Sequence, residues 1–183
     1  PSLQKPDHPD GSQLRPEFIP QAITIALEES EKKLQVIRNL GANEVTFENT
    51  VKALEQATST LDEAWGLVAH LDSVCNSEDL RQAHNDILPA VSEFGAKIPL
   101  DSELWNSIKS FAGTSEANQL SEIDKRLFDE TIKDFREAGA DLPNDKRFRL
   151  EEISSELAKI TQKFSENVLD ATNAWEKVVK DEE

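Results

Sequence analysis

Hydrophobic positions recur every three or four residues along almost the whole chain after residue 19, the period of helices that pack by one face. The first such segment runs from about Pro20 to Leu40, with Ile23, Ala26, Leu27, Leu34 and Ile37 on one stripe. Pro20 suits a first helical turn, where its missing N–H is no loss, and Gly41 suits a left-handed residue just past the end. A second helix begins at Thr46, whose hydroxyl can cap it while Glu48 favours its positive end. Its stripe of Phe47, Val51, Leu54, Thr58, Leu61, Trp65 and Val68 alternates steps of four and three, which predicts one long amphipathic helix.

Ser77, followed by Glu78 and Asp79, reads as a fresh N-terminus. The third stripe is Leu80, Ala83, Ile87, Val91, Phe94 and Ile98, and Pro89 within it is expected to bend or split the helix. Asp101 then caps a short helix carrying Leu104, Trp105, Ile108 and Phe111, which Gly113 ends. A fifth helix starts near Ser121, runs through Ile123, Leu127, Phe128, Ile132 and Phe135, and stops at Gly139. Pro143 opens the sixth, with Ile153, Leu157, Ile160, Phe164, Val168, Ala171, Trp175 and Val178 in register; unbroken to Lys180 it would be about 55 Å long.

No segment alternates as a strand does between turn signals. The expected fold class is therefore all-α: antiparallel helical hairpins in a bundle of about six helices, with one long C-terminal helix. Residues 1–16, polar and Pro-rich, read as an arm or strap, and residues 17–183 as the helical lobe. Trp65, Trp105 and Trp175 fall on their helices' apolar stripes, which predicts core or interhelical packing, the other reading being anchor positions at an interface.

Composition changes this picture in one respect. With 20 basic against 36 acidic side chains the 183 residues carry a net charge of −16, divided evenly between residues 1–100 and 101–183. That balance disfavours nucleic acid, whose phosphates need clustered Lys and Arg, and for the same reason an anionic membrane surface. No apolar run approaches the ~20 residues needed to cross a bilayer, and the N-terminus lacks a signal-peptide layout. The expectation is a soluble, cytoplasmic protein with a solvated acidic surface.

Candidate chemistry is sparse. The single cysteine, Cys75, excludes an internal disulfide framework and a cysteine-based zinc cluster, and it reads as an inert core thiol. The three histidines, His8, His70 and His84, lack the one-turn spacing of a His-Glu-x-x-His zinc site. His70 and His84 have no carboxylate at the offsets that would complete a pair, and both read as surface or partly packed residues. A separation of five positions puts His70 and Cys75 on different helix faces. There is no Gly-x-Ser-x-Gly turn and no phosphate-cradling glycine loop. Pairs such as Glu28-Glu29 and Glu151-Glu152 read as solvated faces. No residue is assigned a catalytic, cofactor-binding or metal-ligating role.

Several segments nevertheless form an ordered set: Thr46-Phe47-Glu48-Asn49-Thr50; His70 to Val74 continuing through Asn76-Ser77 and Leu80-Arg81 to Leu88-Pro89; Phe135-Arg136 with Gly139 and Leu142-Pro143; and Phe164 through Trp175. In this order, from about Pro16 to the last residues, the chain resembles the N-terminal segment of the thimet-oligopeptidase family of zinc metallopeptidases. That resemblance implies a mostly helical two-lobed shell around a deep channel, in which zinc hydrolyses short peptides. It places the zinc-bearing motif in a later part of a longer chain, so no ligand or general base is carried over to any residue here.

The implied role is the N-terminal helical lobe of a zinc oligopeptidase, forming one wall of the channel that admits short peptides and inactive by itself. Its implied partners are the catalytic lobe of the same parent chain and short peptide substrates. An acidic wall is expected to favour basic peptides, and apolar side chains around Trp175 to Val179 are expected to pack on the absent lobe. The other reading is a stand-alone helical protein-interaction module.

Overall fold

A computed structural model describes residues 15–74 and 77–177. Among them the secondary structure is entirely helical. A 3₁₀ turn at Pro16–Phe18 leads into α1 (Ile19–Arg38), which pairs along its length with α2 (Ala53–Val74). Then follow α3 (Glu78–Lys97), α4 (Ser102–Ala112), α5 (Glu122–Glu137) and α6 (Asn144–Ala174).

The α1–α2 hairpin is the spine, and it carries a separate core at each end. At one end Leu34 and Ile37 of α1 meet Phe47, Val51 and Ala57, all four core residues of α4, and Phe128 and Phe135 of α5. Phe111 centres this core, edge-on to Phe128 at 5.0 Å between ring centroids. Trp105 stacks on Phe135 at 5.8 Å while its indole N–H donates to Asp141 at 3.0 Å, so the buried ring keeps its polar atom satisfied. At the other end Ile19, Ile23 and Ala26 pack on Leu61 and Val68 of α2 and on Leu80, Ala83 and Ile87 of α3. Half-buried Phe94 touches both cores.

The helix starts follow their caps. The Thr46 hydroxyl accepts from the Asn49 N–H at 3.1 Å and the Asn49 carboxamide oxygen accepts from the Thr46 N–H at 2.7 Å, a reciprocal capping box. The turn it opens, Phe47–Lys52, is π-helical before it tightens into α2, and its extra width turns Phe47, Thr50 and Val51 all inward. Ser77, Asp101 and Ser121 each accept from backbone N–H groups of the first turn they precede.

Five expectations are corrected. Gly41 is not left-handed: α1 stops at Arg38, and the Gly41 N–H is taken by the Glu44 carboxylate at 2.8 Å. Among the described residues only Gly139 has positive φ, at 101°, where a Schellman motif ends α5. Its N–H bonds the Arg136 carbonyl at 3.0 Å and the Ala140 N–H bonds the Phe135 carbonyl at 2.8 Å.

Pro89 does not split α3, which runs unbroken because it is held between α1 and α6 and the proline ring sits on its exposed side. Ile123, placed on the α5 stripe, is 82% exposed because it lies in the first turn, ahead of where α5 meets the core. The sixth helix ends at Ala174, about 46 Å from its start by helical rise. Trp175 is extended there and 72% exposed, so it is not a packing residue of this bundle. His8, Cys75, Asn76, most of the 1–16 arm and Val178–Val179 lie outside the described residues.

Candidate binding groove and docking face

Two features stand out above the fold: a groove between α1 and α3, and the seam that joins α6 to α3. The groove is lined in part by stripe residues that the packing leaves only partly covered. Leu27 on α1 and Phe94 on α3 are half-buried and Ala90 on α3 is exposed, and Ile98 and Leu100 complete the apolar lining. The resulting cavity is about 810 Å³. Its rim is charged: Glu28, Glu31 and Lys32 on α1, Glu93 and Lys97 on α3, Glu151 on α6, and Arg38 and Asp101 at the closed end.

Two of the three rim bases are committed to neighbours. Arg38 donates from Nε to Asp101 at 2.7 Å and from Nη1 to Glu31, tying the end of α1 to the cap of α4. Burial works against its charge, but the hydrogen bonds it donates to Glu31 and Asp101 prevail and hold its proton more tightly than usual. Lys97 pairs with Glu93 one turn away; the hydrogen bond raises the ammonium and lowers the carboxyl. The rim therefore presents an excess of acid around an apolar floor, a surface suited to a chain with apolar side chains and basic groups.

The seam is polar. Arg81 on α3 grips Asp170 on α6 with two hydrogen bonds, Nη2 to Oδ1 at 2.7 Å and Nη1 to Oδ2 at 3.1 Å. One turn on, Asn85 Nδ2 donates to Glu166 Oε1 at 2.6 Å, and Lys163 reaches the other oxygen of that carboxylate at 3.2 Å. Glu166 is buried and His84 beside Asn85 is buried too, stacked on Trp65 at 4.6 Å between centroids. Because the face of α6 turned to α3 is polar, its apolar stripe of Ile153, Leu157, Ile160, Phe164 and Val168 points to solvent. Its spacing predicted that this stripe would pack; the seam residues reverse that orientation.

Among the described residues no group of three or more His, Cys, Asp or Glu is arranged to hold a metal ion, and no described helix is long and apolar enough to cross a membrane. His70 is exposed on α2, and Glu28, Glu29 and Glu152 face solvent. Leu27, Phe94 and Ile98 of the groove belong to the apolar stripes, but nothing in their spacing tells that packing leaves them only partly covered. Glu166 and Asp170 had a sequence signal: both fall inside the Phe164–Trp175 segment that carried the resemblance.

Comparison with known proteins bears on what this bundle is. Residues 21–147 match the family described as neurolysin/thimet oligopeptidase, N-terminal domain. The chain is 32% identical to oligopeptidase A of Haemophilus influenzae over 174 residues, 95% of this chain and 25% of that protein. Oligopeptidase A of Escherichia coli gives the same identity and coverage. The probable cytosolic oligopeptidase A of Arabidopsis thaliana is 32% identical over 181 residues, 99% of this chain and 26% of that protein. The chain thus spans about a quarter of the length of these relatives. With its all-helical fold and a match across residues 21–147, the chain belongs to the neurolysin/thimet oligopeptidase family, as its N-terminal domain.

Proposed function

We propose that this chain is the N-terminal helical lobe of a zinc-dependent oligopeptidase and forms one wall of the channel that admits short peptides. The observation that carries the reading is the acid-rimmed, apolar-floored groove between α1 and α3, in a domain whose relatives are oligopeptidases. An extended peptide can lay apolar side chains on Leu27, Phe94 and Ile98 while its basic groups meet Glu28 and Glu151. Zinc in such an enzyme polarises a water for attack on the peptide carbonyl. The described residues do not offer it a ligand set, so no catalytic step is assigned to this chain. Its contribution is selection by shape and charge, in the cytoplasm. The family match speaks against a stand-alone interaction module.

The test is peptide cleavage. The full-length protein should cleave short peptides in a chelator-sensitive way, and residues 1–183 alone should not. At low salt kcat/KM should be higher for Lys-containing than for Glu-containing peptides of equal length, and the gap should shrink as salt screens the rim. Equal cleavage of the two at low salt would remove the charge-selection role, and a full-length protein that cleaves neither would remove the peptidase reading.

A further inference from the structure

We propose that the outward stripe of α6 is the surface on which the part of the protein following this domain packs, an inference that rests on the reading of the chain as one lobe of a longer enzyme. The stripe is a built feature. Ile153, Leu157, Ile160, Phe164 and Val168 step by four, three, four and four residues and are each 45–67% exposed. Ala158, Gln162 and Glu166, the residues turned toward α3, lie about half a turn away around the same helix.

An amphipathic helix normally buries its apolar side. Here the side carrying the buried Glu166 faces α3 instead, and the register is held by the Arg81–Asp170 and Asn85–Glu166 bonds. Rotating α6 to hide the stripe would break both. A helix fixed this way has one face committed to its own domain and the other shaped for a second helical neighbour, since four-three spacing forms a seam.

Three observations favour the following part of the chain as occupant. The family match ends at residue 147, inside the first turn of α6, so α6 stands at the junction between the N-terminal domain and what comes after. The relatives are about four times as long as this chain, which supplies the mass needed to cover the stripe. A tethered neighbour also gains from high effective concentration, whereas a second copy brings another −16 of net charge against the first.

The experiment uses the full-length protein with single substitutions Phe164→Cys and Val168→Cys on the stripe and Ser165→Cys on the flank. Each is labelled with a maleimide and read residue by residue by peptide mass mapping. Native stripe thiols should react about tenfold or more slowly than Ser165→Cys, because a packed side chain reacts only through local opening. The difference should vanish in denaturant. Val168→Cys is nearly isosteric, and unchanged helical circular dichroism shows that it has folded. Stripe thiols that label as fast as the flank overturn the proposal. So does protection that disappears on dilution, which marks a second copy. Protection in a protein that cleaves no peptide supports the packing and overturns the peptidase reading alone.

Discussion

Asn85 donates a 2.6 Å hydrogen bond to Glu166 across 81 residues of sequence, and this bond joins the sixth helix to the third. It decides which way α6 faces. With the Arg81–Asp170 pair it turns a carboxylate-bearing side inward and leaves five large apolar side chains outside.

The seam can be tested by deleting the donor. Asn85→Ala leaves the buried Glu166 carboxylate short of a partner, and a hydrogen bond to a charged group is worth about 1.5–3 kcal/mol. Amide exchange in α6 should accelerate while α1 and α2 stay protected. Uniform acceleration across all helices would show that the seam is not a local clamp.

Acid should loosen the same seam. Burial acts to raise the Glu166 carboxyl, but hydrogen bonds from Asn85 and Lys163 outweigh it and hold it below the usual carboxylate range. The Arg81 hydrogen bond lowers Asp170 likewise. A depressed folded pKa gives stability that is complete above the unfolded value of about 4 and is lost as pH falls through the lower folded value. The protection of α6, corrected for intrinsic exchange, should hold from neutral pH to about pH 5 and decline below about pH 4. Glu166→Gln should shallow that decline; an unchanged acid profile in this variant would assign the effect elsewhere.

Among the described residues Gly139 is the one backbone position that demands glycine. Its φ of 101° is rarely adopted by L side chains, and a Cβ there would lie 2.7 Å from a Leu142 methyl and 2.9 Å from one of Leu150. Gly139→Ala should cost at least about 1–2 kcal/mol, measured by chemical denaturation. Gly66→Ala, where a Cβ meets open space within α2, should be neutral or stabilising by up to about 1 kcal/mol.

Core and surface aromatic or aliphatic positions should separate cleanly in the 183-residue chain. Phe111 is fully buried among Phe47, Phe128 and Leu104, so Phe111→Ala should cost about 3–5 kcal/mol. Ile123→Ala, at a position the periodicity assigned to the core, should change stability by no more than about 0.5 kcal/mol. Comparable losses at the two sites would contradict the packing described for α5.

Much of the fold was legible because it is local. Thr46, Ser77, Asp101 and Ser121 announce the helix starts through hydroxyl or carboxylate oxygens that reach the next N–H groups, a matter of three residues. Leu104, Trp105, Ile108 and Phe111 declare the buried face of α4 by spacing alone, and all four are buried. The groove was not legible, because Leu27 and Phe94 come together in it only through the packing of two helices distant in sequence.

By itself the sequence determined the helices, their caps, the acidic balance and the family, since each depends on residue type and short-range order. Tertiary structure decided the rest. Pro89 stays within an unbroken α3 because neighbours on two sides hold that helix together. The apolar stripe of α6 faces outward because Arg81 and Asn85, placed by the α3 fold, pair with Asp170 and Glu166 more than eighty residues later. Periodicity tells which side chains share a face; only the partner across the seam determines which face is turned to it.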